Sequence, residues 1–221
     1  MSEITSIKPT QRNPARVTVR VGRKVVATLP LYKVNELNLH VGLPWDAALE
    51  QRVSEAVRFD KALRQAMTRL NRRAMSRRDL DRKLRDLGHD ETLRARVLDH
   101  LAGLNLLDDE AYARALIEAT CRRKPAGPQL LRQKLYKKGI NRSLIEKLVS
   151  EATDGQDLSP GAVELARKKL RTMQRLDLPT RKRRLFGLLA RRGFNPDTIS
   201  SVMAELADEL EAGCETESPC E

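Results

Sequence analysis

Apolar residues recur along most of this chain at intervals of three and four, the signature of helices with one buried stripe. From Asp46 the stripe runs through Val53, Val57, Ala62, Leu63, Ala66, Met67 and Leu70. It resumes in Leu93, Val97, Leu98 and Leu101, then in Tyr112, Ala115, Leu116 and Ala119, and again in Leu144, Ile145, Leu148 and Val149. The pattern is different near the start. Arg16-Val-Thr-Val-Arg-Val-Gly22 followed by Arg-Lys-Val-Val-Ala-Thr-Leu alternates with period two around a glycine, which predicts a β-hairpin. Residues 1–14, polar with two prolines, are expected to be frayed. Leu31–Asp46 holds a short helix or turn, and Pro44-Trp45-Asp46 reads as a second helix start, with Trp45 packed on its own small domain.

One helical segment occurs three times. A basic amphipathic helix runs into a glycine, and a second amphipathic helix follows. The stop glycines Gly88, Gly139 and Gly193 are 51 and 54 residues apart. Superposed on these glycines, Leu80, Leu131 and Leu185 coincide eight residues before, and Leu84, Leu135 and Leu189 four before. Val97, Leu148 and Val202 coincide nine residues after. A period near fifty means supersecondary units that bury their apolar faces on one another. The fold class expected is mainly α: three tandem three-helix repeats preceded by a small α+β segment with a β-hairpin. The divisions are 1–57 for that segment, 58–107, 108–155 and 156–212 for the repeats, and 213–221 for a disordered acidic tail.

Local signals fit the helix ends. Ser76 with Asp79 three residues on is a capping box with the shorter acid, and Gly127-Pro128 opens the matching helix of the second repeat. Asp154 to Pro160 marks a break, with Ser159 as N-cap and Pro160 at the first helical position.

Composition narrows the function. The 221 residues carry a formal charge of +12, with only 3% aromatic residues. The excess sits in residues 58–204, with 34 basic and 18 acidic groups, whereas residues 205–221 have no basic and seven acidic ones. A basic middle of this size favours a polyanionic or acidic partner. The chain lacks a phosphate-binding loop, a metal-ligand spacing of Cys and His, an apolar run long enough for a membrane span, and a hydrophobic leader. Cys121, Cys214 and Cys220 are odd in number and form no C-x-x-C pair. The chain therefore reads as a cytoplasmic protein, without cofactor or metal, not an enzyme and not bound to membrane. Asp108-Asp109-Glu110 is the one acidic cluster able to bind Mg²⁺ or work as acid and base. It stands just before a helix, where acids cap free N–H groups, and capping is the preferred reading. Cys121 lies beside Arg122, Arg123 and Lys124, cations that could lower its pKa, but it is read as an ordinary helix residue.

The basic clusters recur in register with the repeat. Arg73, Arg77 and Lys83 belong to the first; Arg122, Arg123, Lys124, Arg132, Lys134, Lys137 and Lys138 to the second; Arg181 and Arg184 to the third. Stacked repeats would align them into a stripe that tracks a phosphate backbone or an acidic protein groove. With aromatic residues so scarce, base stacking and sequence-specific readout are not indicated.

Three stretches carry a family resemblance. Arg73, Ser76, Asp79-Leu80 and Lys83-Leu84 form the first. Leu107-Asp108-Asp109 with Tyr112-Ala113 forms the second. Lys124, Gly127-Pro128, Arg132-Gln133, Leu135 and Lys138-Gly139-Ile140 form the third. Over roughly residues 58–210 the chain resembles the RecX regulatory proteins, which modulate the bacterial recombinase RecA. It departs from them in having Asp79 where Glu is common, in its acidic tail, and in an N-terminal β segment that short members lack and some longer members match.

The resemblance implies an elongated, curved array that lies in the groove of the RecA–DNA filament. There it would depress ATPase, recombination and co-protease activity, with direct, non-sequence-specific binding to single- or double-stranded DNA. By this reading the chain is a monomer. Lys124, Arg132 and Lys138 face acidic groove surface or nucleic acid, Arg73 and Lys83 extend that contact, and Leu80, Leu84, Leu131, Leu135 and Tyr112 hold the units together. The alternative is an autonomous nucleic-acid-binding protein, since three-helix units with basic second or third helices also describe helix-turn-helix modules.

Overall fold

The computed structural model describes residues 2–153 and 158–211. Strands β1 (Ile4–Thr10), β2 (Asn13–Val21) and β3 (Lys24–Pro30) form an antiparallel sheet in that order. The hairpin turns at Gly22, whose φ of +57° suits a residue without Cβ. The first strand corrects the expectation of a frayed start. Ile4 is fully buried and β1 pairs with β2 from Ile4↔Val21 to Thr10↔Asn13. A register shift between Ile4 and Ser6 breaks the alternation, so the period-two signal is lost in the sequence. Pro9, which has no N–H to give, is tolerated because β1 is an edge strand.

Two helices complete the N-terminal segment. Helix α1 (Leu31–Glu36) follows the sheet directly, and α2 (Ala47–Leu70) starts where Asp46 accepts the Leu49 N–H at 2.7 Å. Val17, Val19, Ala27 and Leu29 meet Val34, Leu39, Leu49 and Val53 in one core. Asp60 of α2, 6% exposed, is held by Arg16 at 3.1 and 2.6 Å and by Arg64 at 3.1 Å. A buried carboxylate needs such partners. Helix α2 then continues without interruption into the next core, where Ala62 and Ala66 are fully buried.

The three repeats each have their own core. The first combines the end of α2 with α3 (Arg77–Arg85) and α4 (Glu91–Gly103) around Leu80, Leu84, Val97 and Leu101. The second combines α5 (Asp109–Arg123), α6 (Pro128–Lys137) and α7 (Arg142–Thr153) around Leu131, Leu135, Leu148 and Val149. The third combines α8 (Ser159–Leu170), α9 (Leu178–Arg191) and α10 (Pro196–Glu205) around Leu185, Leu189, Phe194 and Val202, with α11 (Ala207–Glu211) adding Leu210.

The stop glycines share one geometry. Gly88, Gly139 and Gly193 have φ of +81°, +75° and +81°. In each case the next residue, His89, Ile140 or Phe194, gives its N–H to the carbonyl of Leu84, Leu135 or Leu189. That is the 6→1 bond of a Schellman cap, repeated three times. It explains why a leucine stands four residues before each glycine. The same fully buried leucine anchors the core and accepts the closing bond.

Two local expectations shift. Helix α5 buries Ala113, Ile117 and Thr120, leaving Tyr112 and Leu116 half-buried and Ala115 and Ala119 exposed. Alanines lie all round this helix, so spacing alone did not fix its phase. Helix α8 includes Ser159, and its N-cap is Leu158. Residues 154–157 of the expected break, and the tail after Glu211, lie outside the described residues.

By contact the chain divides into two units. One holds the residues to Met75 and Leu80–Leu107, the other Ser76–Asp79 and the residues from Asp108 on.

Candidate polyanion interface

Helix starts and stop loops meet in the second of these units, and the meeting places decide which cations are available. Ser76, fully buried, accepts the Asp79 N–H at 3.2 Å and donates its hydroxyl to the Lys138 carbonyl at 2.8 Å. Lys138 Nζ stands 2.7 Å from Asp79 Oδ2. The next joint repeats the device. At the start of α6, Gly127 and Gln129 donate their N–H groups to the carbonyls of Arg192 and Gly193 at 2.9 and 3.1 Å. Arg192 reaches back, donating Nε to the Pro125 carbonyl at 2.8 Å and Nη2 to the Lys124 carbonyl at 2.6 Å. In both joints the cation just before the stop glycine holds the helix start of the preceding repeat.

Glycine is required where these backbones cross. A Cβ on Gly127 would overlap the Gly193 carbonyl, and one on Gly193 would overlap the Leu130 backbone. A Cβ on Gly139 would overlap only the Arg78 side chain, and one on Gly88 would meet open space.

The acidic cluster is spent on caps and pairs. Asp108 accepts the Glu110 and Ala111 N–H groups at 2.8 and 3.0 Å, as a helix N-cap does. Asp109 instead accepts the Arg77 N–H at 2.8 Å, capping the start of α3, a role the sequence reading did not foresee. Glu110 pairs with Arg114 at 2.7 Å, and that hydrogen bond, with Lys147 nearby, holds its carboxyl below the usual range. Among the described residues no three His, Cys, Asp or Glu side chains converge as a metal site. No helix of the described residues is long and apolar enough to cross a membrane.

Eleven of the twelve basic residues expected to meet a partner fall into three groups. Arg73, Arg123, Lys124, Lys137 and Arg184 are exposed and have no ion pair among the described residues. Lys83, Arg122 and Arg132 are paired with Asp86, Glu118 and Glu146, and Lys134 donates to Thr120 Oγ1 at 3.1 Å. Arg77 and Lys138 are half-buried at the joint just described. Arg181 leaves the expected surface altogether. It is 2% exposed, donates Nε to the Leu176 carbonyl at 2.8 Å, and has Nη2 buried without a hydrogen bond among the described residues. Its place was readable: Arg181, Leu185 and Leu189 stand four apart and share one helix face.

One cavity gathers several of these groups. It has a volume of about 340 Å³ and is lined by Leu116, Ala119, Thr120, Arg123, Lys124, Lys134 and Arg192, four cations and no carboxylate among the described residues. Cys121 adjoins it. Burial of its sulfur pushes the thiol up from its ordinary value, against the opposing pull of Arg192 and Lys134. The shift thus runs opposite to the lowering that Arg122, Arg123 and Lys124 could have given. Hydroxyl, ammonium and guanidinium donors around a small hollow suit a phosphate or carboxylate group.

Comparison with known proteins agrees with this architecture. The family model described as RecX, third three-helix domain, matches residues 162–203, and the second three-helix domain matches residues 108–148. A "Regulatory protein RecX" of Chlorobaculum tepidum is 36% identical over 138 residues, covering 62% of this chain and 83% of that protein. One of Mycobacterium sp. (strain KMS) is 34% identical over 163 residues, 72% of this chain and 88% of the relative. One of Clostridioides difficile (strain 630) is 29% identical over 214 residues, 93% and 96% of the two chains. Among solved structures, a crystal structure of regulatory protein RecX superposes with a TM-score of 0.80 at 23% identity, over 94% of this chain and 100% of that one. This last likeness is one of fold.

Proposed function

The chain belongs to the RecX family of regulatory proteins, and from that premise we propose that it acts without catalysis, binding in the groove of a RecA–DNA filament and slowing it. The observation that carries this reading furthest is the cationic hollow of Arg123, Lys124, Lys134 and Arg192. It lies where the second and third repeats join, lined by residues of α5 and α6, by Lys124 and by Arg192 just after α9. Acidic groove surface or filament DNA would supply the matching anions. The expected location is the cytoplasm, where such a filament forms.

DNA-dependent ATPase of the cognate recombinase, titrated with this protein at fixed salt and saturating single-stranded DNA, tests the proposal. Inhibition is expected well below one protein per recombinase subunit. Reversing charge at Lys124 and Arg132 should weaken inhibition at least about tenfold, roughly the loss of one or two charge-assisted contacts, with helicity unchanged. Equal inhibition by the double variant would count against the assignment.

The second reading, an autonomous nucleic-acid-binding protein, is favoured by the five exposed cations without ion pairs. Tight binding to bare DNA that weakens steeply with salt, without effect on the ATPase, would select it.

A further inference from the structure

Between Glu3 and Glu36 the chain has no acidic residue and seven basic ones, a segregation hidden by the nearly balanced charge of its first 57 residues. The sheet sorts this segment by face. Val17, Val19, Ala27 and Leu29 point into the core, so Thr18, Arg20 and Thr28 point away from it. The strand register places Lys8 opposite Thr18, and Ser6 opposite Arg20. Lys8 and Arg20 are therefore diagonal neighbours on the outer face, about 7–8 Å apart at the backbone, and Arg12 stands in the turn between β1 and β2. All three are exposed. Among the described residues none of the three has an ion pair or a side-chain hydrogen bond. Arg16 is different, because Asp60 holds it.

These cations border a shallow concavity of about 790 Å³ whose other lining includes the hydroxyls of Ser6, Thr10 and Thr18. Among the described residues no carboxylate lines it, and Pro9 is its only apolar member. The composition decides the class of partner. Protein interfaces rest on buried aromatic or aliphatic anchors, and the three strands contain no aromatic residue. Nucleic-acid interfaces are polar and strongly positive, with hydroxyl and cation donors to phosphate oxygens. The same lack of aromatics excludes base stacking, the usual grip on unpaired bases. We propose that the outer face of the N-terminal sheet is a second nucleic-acid site, in which Lys8, Arg12 and Arg20 bind the phosphate backbone without reading sequence. This site is separate from the helical repeats and does not depend on the regulatory reading above.

The test uses the full-length protein and fluorescein-labelled DNA, single-stranded and duplex, each of about 30 nucleotides per strand. Binding is followed by anisotropy across a salt series. Lys8→Gln/Arg12→Gln/Arg20→Gln should weaken binding roughly tenfold or more at about 0.1 M salt. The slope of log affinity against log salt should become shallower by about 2 for single strands and up to about 2.7 for duplex. Lys8→Arg/Arg12→Lys/Arg20→Lys should keep the affinity and slope of the parent, because phosphate contact needs charge rather than one side chain. Circular dichroism should be the same for all three proteins. A loss confined to one form of DNA identifies that form as the ligand. An unchanged affinity and slope in the Gln variant overturns the proposal. So does an unchanged DNA slope accompanied by lost binding to polyglutamate, which would assign the face to an acidic protein.

Discussion

Arg181 shows how far a single residue can depart from its local context. It opens the run Arg-Lys-Arg-Arg, which reads as a solvated basic cluster, yet the backbone phase turns it inward beneath Leu185. Among the described residues its buried Nη2 has no hydrogen bond and no carboxylate pairs with it. Replacing such a group with an apolar side chain of similar length removes a desolvation penalty but orphans the Leu176 carbonyl, which costs about 1 kcal/mol. The two effects nearly cancel. Arg181→Met should therefore shift the urea midpoint by no more than about 1 kcal/mol of stability, in either direction, and leave DNA affinity as it was. Arg184→Gln should do the opposite, lowering DNA affinity with stability intact. If Arg181→Met weakens DNA binding as much as Arg184→Gln, the guanidinium reaches the polyanion and the burial argument fails. Most of the cores were legible at this scale, because the leucines at matched distances from the glycines could only be buried. The cations were less legible, since sequence gives charge but not whether a neighbouring carbonyl or carboxylate uses it. Lys138 and Arg192 both show that ambiguity.

At the scale of elements, the three stop glycines share a backbone conformation but differ in what surrounds them. Substitution by alanine should separate the two causes of a glycine requirement. Gly88→Ala pays only the left-handed backbone, about 1–2 kcal/mol, since a Cβ there meets open space. Gly139→Ala adds a clash with the Arg78 side chain, whose Cδ can swing aside but whose Cβ, 2.7 Å away, moves only with its backbone. Gly193→Ala drives a methyl into the Leu130 backbone, which cannot move without opening the joint. Overpacking of that kind adds about 1–3 kcal/mol, so the loss should come to about 2–5 kcal/mol in all. Thermal denaturation of the three variants should rank them Gly88, Gly139, Gly193 in rising cost. Equal losses would mean that backbone strain alone sets the requirement. The helix ends themselves were readable from glycine, serine and aspartate. The first strand was not, because a bulge after Ile4 scrambled its alternation. The phase of α5 was not either, because alanine marks no face.

At the scale of the molecule, the described residues form four hydrophobic cores that succeed one another along the chain, and no buried residue among them belongs to two. Stability should then be local, as in repeat proteins. Leu185→Ala, expected to cost about 2–5 kcal/mol, should speed hydrogen exchange in α8, α9 and α10 while the amides of the sheet and α2 keep their rates. Uniform acceleration would show a single cooperative unit instead. The tandem repeat was the most legible feature of the whole sequence. The joints between repeats were not, because their hydrogen bonds pair residues more than 50 positions apart in the chain and mostly use backbone carbonyls, which leave no mark on residue type. That separation has a consequence for a chain made from one end. The Ser76 hydroxyl bonds a carbonyl 62 residues downstream, and the α6 start waits for Arg192. At about 5–20 residues per second, each repeat leaves the ribosome roughly 3–12 s before its partner loop exists. During that interval its second helix begins without the acceptor that later fixes it, so the order of synthesis is also the order in which the joints close.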